Sequence, residues 1–243
     1  AYAEYNKTIE KDKITGGFAR LFCDYMGLVL GLYPIFIVVI MWLFDRTSNT
    51  SELIYCRKIS TLKLVLSRYF ASITMVLIPV ILLSFESLIP LISFVADKGI
   101  PIDGLAYVKY ILWWLLPTVM IVSATGMFFT LLTDSPIAIV LQFLWWMIDK
   151  GMTGLSGDTS IATLMIRHNT LRGYEIIQEG FAYVMGFETI CMNRLLLVGL
   201  SIMFVILSVC VLGQKRKGRI NATNIYGKCF GYIQNKFWVK PAK

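Results

Sequence analysis

Long apolar runs restrict the fold of this chain more than any other feature of its sequence. Four runs of 20 to 28 residues contain a single charge between them, and they cover residues 25–44, 69–96, 110–133 and 195–214. An α-helix needs about 20 apolar residues to cross roughly 30 Å of hydrocarbon. We therefore predict an all-α fold, a polytopic transmembrane helical bundle, with spans at about residues 25–44, 67–96, 107–133 and 193–214.

A fifth span is predicted at about residues 135–155, although its uncharged run, 135–148, has only 14 residues. The distribution of charge favours a crossing here. With five crossings, one side of the membrane receives 13 basic and 3 acidic residues, a net charge of +10, and the other side has a net charge of −1. Because basic residues concentrate in cytoplasmic loops, the first side is the cytoplasm, and it holds residues 45–68 and the tail at 215–243.

The composition argues against several other kinds of protein. Hydrophobic residues make up 57% of the chain and charged residues 16%, which leaves too little polar surface for a soluble domain. The formal charge of +8 comes without a recognisable nucleic-acid-binding module, so we expect no nucleic acid partner. The five cysteines are scattered and there is one histidine, so we predict no disulfide framework and no metal site.

Two further segments are predicted outside the spans. The first 24 residues mix acidic and basic side chains and have no apolar core, which indicates an exposed segment before the first span rather than a signal peptide. Residues 174–187 mix apolar residues with glutamate and glutamine, which predicts an amphipathic segment on the outer side.

Residues 51–62 are predicted to form a short amphipathic helix in the cytoplasm, with Leu53 and Ile59 on its apolar face and Arg57 and Lys58 charged. Two interpretations are open. The helix lies on the membrane surface, where each basic residue contributes about 1 kcal/mol of attraction to anionic lipid. Alternatively, it docks a cytoplasmic partner.

The second interpretation is supported by a resemblance to a known family. The stretch Glu52-Leu-Ile-Tyr-x-Arg-Lys-Ile-Ser-Thr-x-Lys-Leu-Val-Leu-Ser-Arg-Tyr, directly after an apolar span, resembles the coupling region of type 2 ABC (ATP-binding cassette) exporter permeases. Glu52, Arg57, Ile59, Ser60 and Arg68 match that pattern. The stretches 164–169 and 193–197 are similar to the C-terminal part of Gram-positive members, so the resemblance covers roughly residues 25–219.

This resemblance implies that residues 1–243 form a single transmembrane permease domain in the cell membrane of a Gram-positive bacterium, with a cytoplasmic C-terminus. Its implied cargo is an amphipathic or antimicrobial peptide. The chain itself would be no enzyme and would bind no cofactor, since ATP and Mg belong to two copies of a cytoplasmic ABC ATPase. A second permease chain, identical or related, would complete the pathway. The implied ATPase-coupling residues are Glu52, Leu53, Tyr55, Cys56, Arg57, Ile59 and Lys63. Family members usually have six spans, so we expect that a first span is missing upstream of Ala1.

Candidate pathway residues follow from polar and aromatic positions within the spans. Glu86 is the one carboxylate in the predicted apolar runs; it either contacts cargo or lies near water at the outer end of its span. Gln142 either faces the pathway or joins two helices. The two tryptophan pairs form an interfacial belt or an aromatic gate. The candidates are Glu86, Trp113, Trp114, Gln142, Trp145 and Trp146.

Other functions stay open at this point. A membrane-bound immunity or sensor protein would bind a peptide without transporting it, and an exporter of this class could instead move lipid, polysaccharide or drug. A membrane enzyme would need paired acids or a nucleophile with a base, and the sequence shows no such set within its apolar runs.

Overall fold

Helices make up the described chain almost entirely, and the prediction of an all-α fold is confirmed. The structure, a computed structural model, describes residues 2–48, 50, 58–96, 103–153, 163–165 and 176–218, and no strand occurs among them. In chain order the helices are α1 (Tyr2–Leu30), α2 (Tyr33–Thr47), α3 (Thr61–Ala96), α4 (Ala106–Tyr110), α5 (Leu116–Thr133), α6 (Ile137–Thr153) and α7 (Ile176–Arg216). A π-helical turn, Ile111–Leu115, joins α4 to α5 without a break.

Four stretches of helix are long and apolar enough to cross a membrane: Thr15–Asp45, Thr61–Phe94, Ala106–Thr133 and Phe187–Arg216. They fall on the four longer predicted spans. The apolar part of α6, Ile137–Asp149, is shorter. The chain is therefore a membrane-embedded helical bundle.

Helix α5 is the centre of the bundle, because α2, α3, α6 and α7 all pack against it. Its side chains at Ile121, Val122 and Ala124 are fully buried. Helices α3 and α7, in contrast, expose large apolar side chains such as Leu82 and Ile206. An apolar outer face of this kind suits lipid or another membrane helix rather than water.

The predicted fifth span forms a hairpin with α5. Asp134 adopts a left-handed conformation, with φ of 52°, and its N–H donates to the carbonyl of Thr130, which ends α5. At the far end of α6, Asp149 bonds to the N–H of Leu164, and the carbonyl of Leu164 accepts from Thr118 in the first turn of α5. Helix α6 therefore returns along almost the whole length of α5.

The first predicted span is broken in the middle, between α1 and α2. Pro34 has no N–H, and the N–H groups of Leu32 and Ile35 bond only three residues back, to Val29 and Leu32. This pattern leaves the carbonyls of Leu28 and Gly31 without helical partners. Side chains of α6 supply the missing donors: Trp146 Nε1 lies 3.1 Å from the oxygen of Leu28, and Gln142 Nε2 lies 2.7 Å from that of Gly31.

The N-terminal part of the chain differs from the prediction. The backbone is helical from Tyr2, and Thr15, Arg20 and Asp24 are buried. The expectation of an exposed segment is therefore wrong for residues 15–24, because their polar groups find partners inside the bundle. At the other end of the chain, the backbone of the predicted amphipathic segment at 174–187 continues without interruption into α7 from Ile176 onward. The tail beyond residue 218 lies outside the described residues.

One end of the bundle carries two salt bridges and the hydrogen bonds of a third basic residue, and we call it the basic end. Arg68 pairs with Asp45 and stacks over the Trp42 ring, its guanidinium carbon 4.5 Å from the ring centre. Lys215 Nζ lies 2.6 Å from Asp134 Oδ2. Arg216 Nη1 donates to the carbonyl of Ile59 at 2.7 Å and to Thr61 Oγ1 at 3.1 Å. Residues 59–68 and the end of α7 thus share one end of the bundle, as the charge distribution predicts.

Candidate functional site

The predicted ATPase-coupling residues are only partly within the described chain. Glu52, Leu53, Tyr55, Cys56 and Arg57 lie outside it. Ile59 is 37% exposed, and Lys63 is exposed in the first turn of α3, where its N–H is accepted by Ser60 Oγ. The described part of this segment is therefore open to a partner, and Arg216 fixes its main chain through Ile59 and Thr61.

The predicted pathway residues do not form one site. Glu86 is exposed on α3. Trp114 is buried near Arg194, and Trp113 stacks on Phe187 with ring centres 6.0 Å apart. These two tryptophans belong to the end opposite the basic end. Gln142, Trp145 and Trp146 lie on α6, where Gln142 and Trp146 join α6 to the break between α1 and α2.

Gln142 and Trp145 also line a cavity. It has a volume of about 210 Å³ and lies between α5, α6 and α7. Its walls are mostly apolar and consist of Thr125, Gly126, Phe129, Ala138, Leu141, Gln142, Trp145 and Phe204. An apolar side chain or an acyl segment would suit this space better than a charged group.

A layer of buried polar and charged side chains lies at the end of the bundle opposite the basic end. Asp24 belongs to α1, Asp149 to α6, and Asn193 and Arg194 to α7, and each is at most 8% exposed. Arg194 interacts electrostatically with both Asp24 and Asp149. Buried charges are costly unless they are paired, so these groups hold α1, α6 and α7 in a defined arrangement.

Arg194 is the most enclosed charge of this polar layer, at 2% exposure. Its Nη1 donates to Thr118 Oγ1 at 2.7 Å, and its guanidinium carbon lies 5.9 Å from the centre of the Trp114 ring. Its Nε and Nη2 have no hydrogen-bond partner among the described residues. The guanidinium therefore keeps donor capacity that the surrounding side chains leave unused.

The polar layer also forms hydrogen bonds with a short stretch of main chain, residues 163–165. Both oxygens of Asp149 accept from it, Oδ1 from the N–H of Leu164 at 3.0 Å and Oδ2 from that of Met165 at 3.2 Å. Thr118 Oγ1 donates to the carbonyl of Leu164 at 3.2 Å, and Asn193 Nδ2 to the carbonyl of Thr163 at 2.8 Å. Thr163, Leu164 and Met165 are all buried.

A second set of polar contacts ties α1 to the start of the α4–α5 segment. Arg20 Nη1 donates to the hydroxyl of Tyr110 at 3.0 Å, and the N–H of Asp103 donates to Thr15 Oγ1 at 3.1 Å. Asp103 also pairs with Lys109 at 2.8 Å. These contacts explain why the charged stretch before the first apolar run is packed rather than exposed.

The two charged ends are about one hydrocarbon thickness apart. Arg194 and Arg216 lie in the same helix and are separated by 22 residues, or about 33 Å at 1.5 Å per residue. Hydrocarbon is roughly 30 Å thick. The polar layer therefore falls where one membrane boundary would lie when the basic end is placed at the other.

Sequence reasoning did not single out Asp24, Asp149 or Arg194 as site residues. Each is the first charge outside an apolar run, and all three fall on the predicted outer side. Charges of opposite sign that flank spans at the same end of a bundle can lie close together. Their shared position next to the apolar runs could therefore have indicated Asp24, Asp149 and Arg194 as a cluster. Buried carboxylates are thus present at Asp24 and Asp149, whereas Glu86, the expected intramembrane acid, is exposed.

Among the described residues, no group of three or more His, Cys, Asp or Glu side chains could hold a metal ion. The fold and the polar layer together define an all-α membrane protein with a layer of buried charged side chains at one end of the bundle. No protein-family model, curated protein or solved structure matches the chain.

Proposed function

We propose that this chain is the membrane-spanning permease subunit of an ATP-driven ABC exporter that moves amphipathic peptides out of the cell. In this proposal it lies in the cell membrane of a Gram-positive bacterium, with its basic end in the cytoplasm. Two ABC ATPase subunits dock there, and a second permease chain completes the pathway. The class of protein is proposed from the resemblance of residues 52–69 to the coupling region of type 2 ABC exporter permeases.

The observation that carries the proposal is the joint between Arg216 and residues 59–61. Arg216 holds the carbonyl of Ile59, next to the predicted docking helix, and the hydroxyl of Thr61 at the start of α3. A partner that pushes residues 51–62 therefore pushes α3 and α7 together. Packed helices respond to such a push by rigid-body shifts between discrete arrangements.

Helix α7 provides the connection to the other end of the bundle. It continues unbroken from Arg216 to Arg194, which is bonded to Thr118 of α5. A displacement of α7 at the basic end therefore changes the polar layer. Between the two ends, the cavity bounded by α5, α6 and α7 offers apolar walls, which suit the apolar face of an amphipathic peptide.

The joint is tested with Arg216→Ala and a matched control, Lys217→Ala, which removes a neighbouring exposed positive charge. Both variants are co-expressed with a candidate ABC ATPase subunit, and the purified complexes are assayed for ATP hydrolysis and for peptide transport in proteoliposomes. We expect Arg216→Ala to retain the ATPase subunit but to lose at least about tenfold in transport per ATP hydrolysed, about 1.4 kcal/mol. Lys217→Ala should behave as the unmodified chain.

Two results would contradict the proposal. Equal transport per ATP hydrolysed in both variants would show that the contacts of Arg216 with residues 59–61 do not couple ATP hydrolysis to transport. Purification of the chain without any ATPase, together with peptide binding that is unaffected by ATP, would favour the immunity or sensor protein instead.

A further inference from the structure

The contacts of residues 163–165 with the polar layer have an unusual common property: they are made to main-chain atoms. Asp149, Thr118 and Asn193 come from three different helices and together bond two N–H groups and two carbonyls. Main-chain groups are the same in every peptide apart from proline. We call these three side chains the main-chain cradle.

The main-chain cradle also provides space for side chains. Leu164 is fully buried in a cluster with Ile35, Val39 and Leu197. Met165 lies over Gly31, where an added Cβ would be only 3.0 Å from the Met165 sulfur, so the glycine makes room for it. The N–H groups of Leu164 and Met165 converge on one carboxylate because the main chain bends there. A peptide with the same bend and apolar side chains at two successive positions would make the same contacts.

Residues 163–165 do not use every hydrogen-bond donor of the polar layer. Arg194 is bonded to Thr118, which is itself bonded to Leu164, yet Nε and Nη2 of Arg194 find no hydrogen-bond partner in the described part of the chain. Donors of a guanidinium that is 2% exposed are rarely left in this state. A ligand with an additional acceptor, such as a further peptide carbonyl or a C-terminal carboxylate, would use them.

The position of the main-chain cradle suits a peptide that passes along the bundle. Thr118 and Asp149 belong to α5 and α6, and the same two helices line the cavity at Thr125 and Trp145. The cavity begins about two turns from Thr118, or roughly 10 Å along α5. The apolar cavity and the main-chain-binding groups thus belong to the same three helices, α5, α6 and α7.

We propose that the main-chain cradle is a binding site for a bent stretch of peptide main chain, and that residues 163–165 occupy it in place of the cargo. Displacement of these residues by a cargo peptide opens the outer end of the space between α5, α6 and α7, and their return closes it. The site accepts peptides of different sequence because Asp149, Thr118 and Asn193 bond groups that all peptides share. In the proposed exporter the main-chain cradle is the cargo-binding site, and its role in transport rests on that proposed function.

The test measures binding in detergent, without ATP or ATPase, so its failure is distinguishable from failure of the exporter proposal. The probe is a fluorescent nine-residue peptide with the sequence of residues 160–168, Ser-Ile-Ala-Thr-Leu-Met-Ile-Arg-His. The control peptide has the same sequence with N-methyl groups on the two amides that correspond to Leu164 and Met165. Methylation removes the two donors to Asp149 and leaves every side chain unchanged.

The protein is compared with its Leu164→Ala variant, in which the segment 163–165 loses its buried leucine side chain and is easier to displace. We expect the unmodified peptide to bind this variant at least about tenfold more tightly than the parent chain, because a larger fraction of the cradle is vacant. The N-methylated peptide should lose this gain. Size-exclusion chromatography checks that each protein elutes as a single species.

Two outcomes overturn the proposal. Equal binding of the two peptides would mean that the contact is apolar and does not involve main-chain donors. Absence of binding to both proteins, when each elutes as a single species, would mean that residues 163–165 are a fixed structural element. If Leu164→Ala does not elute as a single species, Met165→Ala is used under the same criteria.

Discussion

Gly126 offers a sharp test of how α5 packs against α2. A methyl group added at this position would lie 2.4 Å from Cδ1 of Ile35, far inside van der Waals contact. Ile35 is 1% exposed, so its side chain must shift among packed neighbours to relieve this contact. Forcing extra volume into a packed core costs about 1–3 kcal/mol. We therefore expect Gly126→Ala to lower the free energy of unfolding by about that amount.

A second substitution makes this prediction specific. Ile35→Val removes Cδ1, after which the nearest atoms to the added methyl, Ile35 Cγ1 and Val38 Cγ1, lie at an ordinary 3.6 Å. By itself Ile35→Val should cost about 0.5–1.5 kcal/mol. The double variant should be about as stable as Ile35→Val alone, so the two changes are coupled by about 1–3 kcal/mol. Free energies of unfolding are measured by titration with sodium dodecyl sulfate in mixed micelles.

The control is Gly199→Ala on α7, where an added Cβ meets no atom within 4 Å. Because alanine favours helix over glycine, this variant should keep or slightly raise the stability. Additive losses for Gly126→Ala and Ile35→Val would refute the packing of α5 on α2 described above.

Three further substitutions test the polar contacts by the same titration. Arg194→Met should lower the free energy of unfolding by about 1.5–3 kcal/mol, because it removes the hydrogen bond to Thr118 and the positive charge that interacts with the buried Asp24 and Asp149. Adding Asp149→Asn should recover part of this loss, and an additive double variant would argue against the electrostatic coupling. Gln142→Leu should cost about 0.6–1.7 kcal/mol through the carbonyl of Gly31, and no loss would mean that water or another group replaces the amide. Glu86→Gln, on the exposed face of α3, should stay within about 0.5 kcal/mol of the parent chain, and a larger change would indicate a buried role.

Much of the fold follows from the apolar runs, because a membrane core accepts only helices at this length and composition. The four longer spans and the hairpin at Asp134 could be predicted on that basis. The break between α1 and α2 could also be foreseen in principle, since Pro34 removes a helical donor inside an apolar run. The carbonyls freed there are paired by Gln142 and Trp146, which are more than a hundred residues away, and no local pattern specifies that pairing.

The candidate site was harder to predict than the fold. Arg194, Asp24 and Asp149 look like ordinary charges at the ends of spans, and hydropathy places such charges in water. Their burial depends on which helix faces meet, and this is decided by packing around α5 rather than by spacing along the chain. The main-chain contacts of residues 163–165 are equally hidden, because a sequence does not show which of its peptide groups will be bonded by distant side chains.

The two charged ends of α7 differ in a way that bears on how force would pass through the bundle. At the basic end, Arg216 bonds to the carbonyl of Ile59 and the hydroxyl of Thr61, and these contacts link α7 to the start of α3. At the opposite end, Arg194 is buried and interacts electrostatically with carboxylates on α1 and α6, so a shift of α7 there changes the surroundings of those carboxylates as well. In the proposed exporter, a displacement of α7 at the basic end would therefore be accompanied by movement of α1 and α6 near residues 163–165.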